Sequence, residues 1–286
     1  MSRVVFLNGS FLPVDDAKVP VMDRGFLFAD GVYEGFGVIA GHVVDDEAHL
    51  ERLERSLGEV RIPNPYTRAD WTRLAADLIR RNGMTEGFLY LQVTRGVAER
   101  DFVFPSDATP TVLMFTQAKS IVHSPLAEKG IAVATVPDLR WKRRDIKSLS
   151  LLAQVLAKQA AREAGADEAW MIEDGHVTEG GSSSAFIITR TGAVVVRPLS
   201  HAILPGITRR AVLQLAAEAG LSVEERPFTL EEALDAAEAF NTSASGFVLP
   251  VVSIDGRPVA NGRPGPLTRR LRALYLAMAG APAAAA

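Results

Sequence analysis

A strand, a cluster of cations and a helix follow one another between Gly130 and Ala160, and this succession constrains the fold more than any other stretch. Gly130-Ile131-Ala132-Val133-Ala134-Thr135-Val136-Pro137 is a short apolar run suited to a buried strand, and Leu149, Leu152, Leu156 and Ala160 recur near the helical period. Ser148 or Ser150 is placed to cap that helix. Between the two elements lie Arg140, Lys142, Arg143, Arg144 and Lys147. A lysine at a strand-to-helix junction can be held with its amine directed into a pocket. Taken locally, the same cluster reads as a solvated basic turn, because most lysines are exposed.

The chain of 286 residues can bury a large core, as one large domain or two closely packed ones. With 48% hydrophobic and 23% charged residues and a net charge of -3, it has no charge excess that asks for nucleic acid or an acidic membrane. The local basic cluster suits a small anionic ligand better. The absence of cysteine excludes disulfides, thiolate catalysis and cysteine-ligated metals, and agrees with a cytoplasmic location. Met1-Ser2-Arg3 opens onto an apolar segment interrupted by Asn8 and Gly9, unlike the core of a secretory signal. No stretch reaches the roughly 18 apolar residues of a membrane span. The alanine-rich ending from Ala281 to Ala286 reads as a frayed tail.

From the start, Val4 to Leu7 and Ser10 to Val14 flank Asn8-Gly9, a strong hairpin signal. The region from Asp23 to Gly31 reads as a turn-rich approach to a strand from Tyr33 to Ile39, whose tyrosine offers a hydroxyl to a pocket floor. Leu50, Leu53 and Leu57 give the apolar face of a helix from Glu47 to Leu57, with His49, Arg52 and Ser56 on an adjoining face. Arg52 can present a forked donor pair to a phosphate, and His49 can support it. Trp71, Leu74, Leu78 and Ile79 mark another helix, and Phe88 to Thr94 and Thr111 to Thr116 mark strands. The long loop between those strands carries Arg95, Arg100, Phe102 and Phe104.

The residues from Lys119 to Pro125 break the periodic pattern and divide an N-terminal domain, residues 1–118, from a C-terminal one, residues 126–286. Beyond them, Ala169 to Ile172 and Ala185 to Thr189 read as strands, and Thr178-Glu179-Gly180-Gly181-Ser182-Ser183-Ser184 as a segment whose glycines allow close approach of a ligand. Pro205-Gly206-Ile207-Thr208 opens a helix whose first amides, with the Thr208 hydroxyl, can bind phosphate. Phe240 to Gly246 reads as a hydroxyl-rich loop, Val248 to Val259 as a hairpin around Asp255-Gly256, and Thr268 to Met278 as a last helix.

Together, Asp23-Arg24-Gly25 with Asp30-Gly31-Val32-Tyr33-Glu34, His49-Leu50-Glu51-Arg52, Asp145-Ile146-Lys147-Ser148, Thr178-Glu179-Gly180 and Leu204-Pro205-Gly206-Ile207-Thr208 resemble, in order and spacing, the pyridoxal-phosphate enzymes of fold type IV. Among these the chain is most similar to the D-amino-acid aminotransferases, from about Val5 to Leu271. The resemblance implies an α/β fold of two domains with pyridoxal 5′-phosphate in the cleft between them, and a homodimer with residues of both subunits near the substrate entrance. It implies that Lys147 holds the cofactor covalently and moves the proton. It assigns Arg52, Ile207, Thr208 and Ser243 to the cofactor phosphate, Glu179 to the pyridine nitrogen, and Tyr33, Arg100, Phe102 and Ser183 to the substrate. D-alanine and 2-oxoglutarate are the substrates it suggests.

Two positions depart from that pattern. Phe102 stands where the resembling enzymes often have histidine beside the arginine, which weakens the carboxylate trap and opens the site to amines. Ala244 replaces a residue that often carries a hydroxyl. The competing readings are an R-selective amine transaminase, then a branched-chain aminotransferase or aminodeoxychorismate lyase, and, in a different class, a non-catalytic dimer that binds a small molecule.

Overall fold

The computed structural model of the chain describes residues 3–281, so the tail expected from Ala281 onward lies outside the described residues except for its first member. The chain forms two compact units. The first runs through Ser120 and takes back Ile146–Ser150; the second comprises Ile121–Asp145 and the chain from Leu151 onward.

In the first unit, β1 (Val4–Leu7) and β2 (Ser10–Pro13) form the expected hairpin, turned by Asn8 and Gly9 at φ 47° and 91°. The Asp23 carboxylate accepts a hydrogen bond from the Gly25 amide at 2.8 Å and caps a short helix, α1 (Arg24–Phe28), where the sequence suggested only turns. Then come β3 (Gly31–Ile39), β4 (His42–Val43), α2 (Asp46–Glu59), α3 (Arg68–Arg81), β5 (Gly87–Thr94) and β6 (Thr111–Ala118). The strands form one antiparallel sheet in the order β2-β1-β6-β5-β3-β4. Leu50, Leu53 and Leu57 of α2 and Trp71, Leu74 and Leu78 of α3 pack with Phe6, Phe36, Leu89 and Leu91 of the sheet into a single core.

Ile146–Ser150 was expected within the C-terminal domain but packs in the first unit, because its backbone runs along β3. The Tyr33 amide donates to the Lys147 carbonyl and the Leu149 amide to the Gly31 carbonyl, both at 3.0 Å, while Ile146 is buried in the core of that unit. These bonds fix the lysine backbone as rigidly as a strand would.

In the second unit, α4 (Pro125–Lys129), β7 (Ile131–Pro137), α5 (Leu152–Glu163), β8 (Glu168–Glu173), β9 (His176–Gly180), β10 (Ser184–Ile188), β11 (Val194–Val196), α6 (Ile207–Glu218), β12 (Val223–Glu225), α7 (Leu230–Asp235), β13 (Glu238–Ser243), β14 (Phe247–Ile254), β15 (Arg257–Pro258) and α8 (Pro266–Met278) follow. The sheet runs β12-β11-β10-β13-β14-β7-β8-β9, with β15 paired to β14. It is mixed, with parallel pairing at β12/β11, β14/β7 and β7/β8.

Three expectations need correction here. The N-cap of α5 is Leu151, with no side-chain bond, so neither Ser148 nor Ser150 caps it. The periodic residues of α5 lie on its outer face, Leu152 being 71% and Leu156 55% exposed, while the smaller Ala157 and Ala161 pack inward. Phe240 to Ser243 form a strand rather than a loop; Phe240, Asn241 and Thr242 are buried and pair with both β10 and β14.

Candidate active site

Lys147 faces the sheet of the first unit. Its amide donates to Ser56 Oγ at 3.3 Å, and its Nζ stands 4.1 Å from the centroid of the Tyr33 ring. Tyr33 stacks on Tyr90 at 5.7 Å between centroids, and Tyr90 on Phe115 at 4.8 Å, so the amine ends an aromatic row laid across β3, β5 and β6. A cation over a ring face is attracted to it, which holds the Lys147 amine against the Tyr33 ring. Burial pushes the Tyr90 phenol upward, and its hydroxyl donates to Gln92 Oε1 at 2.9 Å. Tyr90 and Phe115 escaped the sequence reading; the alternation along their strands was the signal that could have placed them on the Tyr33 face.

Glu34 points the other way from Tyr33 and is fully buried. Its carboxylate takes Nε and Nη2 of Arg52, each at 2.8 Å, and His49 Nδ1 at 2.7 Å. A carboxylate only accepts, so Nδ1 carries the imidazole proton. Burial raises the Glu34 carboxyl, but the charge and hydrogen bonds of Arg52 outweigh it and hold the group well below the ordinary carboxylate range. Burial likewise lowers His49 in spite of Glu34 beside it. Arg52, expected to meet phosphate, is therefore an oriented guanidinium on a buried helix face, and Glu34 is the partner that orients it.

Arg100 and Phe102 lie on the long loop between β5 and β6. Phe102 is 77% exposed, with its ring centroid 5.5 Å from that of Phe28, and the Arg100 guanidinium lies 5.1 Å from the Phe28 ring and 5.6 Å from the Phe102 ring. A concavity of about 1000 Å³ lies beside the same loop, against Pro65 and Tyr66, but Glu99, Asp101 and Asp107 line it and no cation among the described residues does. Its chemistry does not suit a phosphate or a carboxylate.

In the second unit, Glu179 is buried, forms a close ion pair with Arg140 Nη1 and accepts from the Leu204 amide at 3.2 Å. Burial pushes its carboxyl up, against the pull of Arg140 and of the amide. Arg140 is fixed in turn by Asp138, through Nε at 2.9 Å and Nη2 at 2.6 Å, and Asp138 also accepts the Thr178 hydroxyl at 2.6 Å. The sequence reading placed Arg140 only among the cations near Lys147; this bond lies 39 residues apart along the chain. A buried carboxyl in this setting gains from a second cationic neighbour, which favours its charged form.

Hydroxyls collect around the first turn of α6. Thr208 is buried, and a Cβ on Gly206 would meet Ser184 Oγ at 2.8 Å, so the backbone there approaches β10 more closely than a side chain allows. Ser184 pairs with Thr242, next to Ser243. Ile207 is the first residue of the helix, where amides have no intrahelical partner. Ser183 Oγ and Thr242 Oγ1 are both buried without a hydrogen-bond partner in the protein. Ser183 is tucked against Gly180, where a Cβ would come within 2.2 Å of its Oγ. An orphaned hydroxyl on Thr242, the strand partner of Ser184 at the start of α6, fits a ligand rich in acceptor oxygens, as a phosphate ester is.

These groups (an amine on an aromatic row, an oriented guanidinium, a buried carboxylate fixed by arginine, and hydroxyls at a helix start) are accompanied by a sequence match. The amino-transferase class IV family profile matches residues 31–254, and the chain belongs to that family. The D-alanine aminotransferase of Bacillus licheniformis is 40% identical over 270 residues, 94% of each chain. That of Staphylococcus haemolyticus is 39% identical over 269 residues, 94% of this chain and 95% of its own. Among solved structures, the branched-chain aminotransferase of Thermoproteus uzoniensis with norvaline superposes with a TM-score of 0.87 at 27% identity, over 98% of this chain and 96% of that one. A T.th. branched-chain amino acid aminotransferase with pyridoxamine 5′-phosphate gives 0.89 at 25% identity, over 99% and 96%. The two-unit α/β architecture is that of the fold type IV aminotransferases.

Proposed function

We propose that this protein is a pyridoxal-phosphate-dependent aminotransferase that moves the amino group of a D-amino acid such as D-alanine to a 2-oxo acid such as 2-oxoglutarate. The observation that carries this reading is the 40% identity to a D-alanine aminotransferase along 94% of both chains, against 24 to 27% for branched-chain enzymes that share the fold. When bound, the cofactor supplies an aldehyde that condenses with amines and a ring that accepts the electrons left by a departing proton. Lys147 Nζ is the amine that would hold the cofactor covalently and, when free, would take the proton from the substrate α-carbon. Glu179, held by Arg140, is the carboxylate that would face the ring nitrogen and favour its protonated form. Arg52 meets the phosphate as a guanidinium already turned by Glu34, while the amides of Ile207 and Thr208 and the hydroxyls of Thr208 and Ser243 supply further donors. Tyr33, Ser183, Arg100 and Phe102 face the substrate.

A coupled assay for pyruvate, with D-alanine and 2-oxoglutarate in parallel with L-alanine, branched L-amino acids and R-amines, tests the reading. Turnover with D-alanine well above the L-amino acids is expected. A preference for branched L-amino acids would overturn it. Phe102, open to solvent and bare of donors, is the observation favouring a second activity toward R-amines.

The partner we propose is a second copy of the chain. Leu152, Val155 and Leu156 form an exposed apolar stripe on α5, and a stripe of this kind on a water-facing helix suits burial in an interface. Light scattering of a Leu152→Glu/Leu156→Glu variant is expected to show a monomer where the parent is a dimer; a monomeric parent would contradict this. Among the described residues no helix is long and apolar enough to cross a membrane. The cytoplasm is the compartment we propose, on the cysteine-free composition.

A further inference from the structure

Asp23-Arg24-Gly25 belongs to the sequence pattern, yet none of its residues has a task in the chemistry above. In the structure this segment begins α1, and α1 touches each of three consecutive loop residues. Arg24 Nη1 donates to the Asp101 carbonyl at 2.5 Å. The Phe28 ring meets the Phe102 ring at 5.5 Å, and the Arg100 guanidinium lies 5.1 Å from the centroid of Phe28. Arg24 itself sits 4.8 Å from the same Phe28 ring.

The helix is fastened at several points. Asp23 accepts from Gly25 N and from Thr94 Oγ1 at 2.8 and 3.0 Å, and the Arg24 amide donates to the Gly96 carbonyl at 2.9 Å. A Cβ on Gly25 would come 2.2 Å from Thr94 Cγ2, so the backbone is pressed onto β5 where only glycine fits. Arg24, 3% exposed, pairs through Nε with Asp30 Oδ2 at 2.8 Å, and Arg95 grips both oxygens of Asp30 through Nε and Nη2 at 2.8 and 2.9 Å. Arg95 closes the cluster on the carbonyls of Val60 and Arg61. The guanidinium that reaches Asp101 is thus held by Asp30, and through Asp101 it ties the loop residues on either side to α1. A recognition group held in its binding geometry before the ligand arrives loses less entropy on binding.

We propose that Arg24 and Phe28 are positioning residues for recognition of the substrate carboxylate, setting the orientation of Arg100 by holding the two residues that follow it, Asp101 and Phe102. This rests on the assignment of Arg100 to the substrate carboxylate. Arg24→Lys keeps a cation for Asp30 but has no planar fork to serve Asp30 and the Asp101 carbonyl together. Phe28→Leu keeps apolar volume and removes the ring face that meets both Arg100 and Phe102.

The test measures kcat and KM for D-alanine, the dissociation constant of pyridoxal phosphate and the melting temperature in R24K, F28L, R100M and the double variant R24K/R100M. A tenfold change in binding corresponds to about 1.4 kcal/mol, the scale of one charge-assisted contact, so KM is expected to rise about five- to tenfold in R24K and in F28L. kcat and cofactor affinity should stay within about twofold, since neither residue is assigned to the proton transfer or to the cofactor. KM in the double variant should not exceed that of R100M, because a positioning group has nothing left to position. Loss of stability alone would lower active protein without this split. An unchanged KM in R24K and F28L, beside a raised KM in R100M, overturns the positioning role and leaves the assignment of Arg100 intact. Multiplied effects in the double variant overturn it also. An unchanged KM in R100M overturns the assignment of Arg100, and the proposal with it. If R24K does not fold, F28L, which leaves the Arg24–Asp30–Arg95 cluster whole, decides.

Discussion

Glu179 and Arg52 are both charged residues assigned to one cofactor, but their surroundings differ in kind. Glu179 is a carboxylate whose burial disfavours its charge and whose fixed partner Arg140 favours it, so the contribution we propose for it is electronic. Arg52 is a cation neutralised and aimed by Glu34, so the contribution we propose for it is grip on the cofactor phosphate. Glu179→Gln is therefore expected to keep cofactor affinity within a few-fold and to slow the single-turnover reaction with D-alanine by at least about a hundredfold, a scale usual for loss of one electrostatic stabiliser. Arg52→Ala should weaken cofactor binding first, as titration by fluorescence quenching would show. The inverted pattern would contradict the division of roles. Phe102→His introduces a donor beside Arg100 and should shift the ratio of D-alanine to R-amine specificity constants toward D-alanine by about one to two kcal/mol, on the scale of a hydrogen bond to a charged group. Steady-state kinetics at saturating cofactor measure it; an unchanged ratio would mean that Phe102 does not border the carboxylate. Lys147, Arg52 and Glu179 were named in the sequence because each stands in a motif. Their partners Glu34 and Arg140 were not, because a bond across 18 or 39 residues leaves no local period.

Among the elements, the joint between β3 and α2 makes stability depend on pH. His49 titrates below its ordinary 6.5 in the folded chain because it is buried, so the unfolded chain binds that proton first as pH falls. Its contribution is whole above about 6.5 and is lost as pH falls through the lowered native value. Glu34 titrates below its ordinary 4.5 in the folded chain, since Arg52 outweighs burial; its contribution is present above 4.5 and is lost at still lower pH. Acid thus destabilises this joint in two stages, histidine first. Thermal melts between about pH 7 and about pH 5 should show His49→Gln losing less stability than the parent, while Glu34→Gln should lower the melt throughout by leaving Arg52 buried without its anion. A steeper acid loss in His49→Gln would contradict this assignment.

α2 and α3 were legible because large apolar residues mark their buried faces. α5 misled, since its largest apolar residues face outward and its buried face is alanine. α1 was hidden by the glycine inside it, and β13 by Asn241, Thr242 and Ser243, which read as turn formers until the strands on both sides claim their backbones.

At the scale of the whole molecule, the first unit carries Lys147, Tyr33 and Arg52, and the second carries Glu179, Thr208 and Ser243. The crossover from β7 to α5 gives up Ile146–Ser150 to the first unit, so the residue that opened the sequence reading is held by β3, not by the strand that precedes it in the chain. No hydrophobic period predicts such an excursion, because its backbone bonds are to a strand more than a hundred residues earlier. The covalent role of Lys147 is the claim on which the account turns. Borohydride reduction of the protein with bound pyridoxal phosphate, followed by digestion and mass spectrometry, reads it directly. The account predicts a phosphopyridoxyl mass on the peptide containing Lys147, abolished together with D-alanine turnover in Lys147→Ala; an adduct on another lysine, or full turnover in that variant, would contradict it.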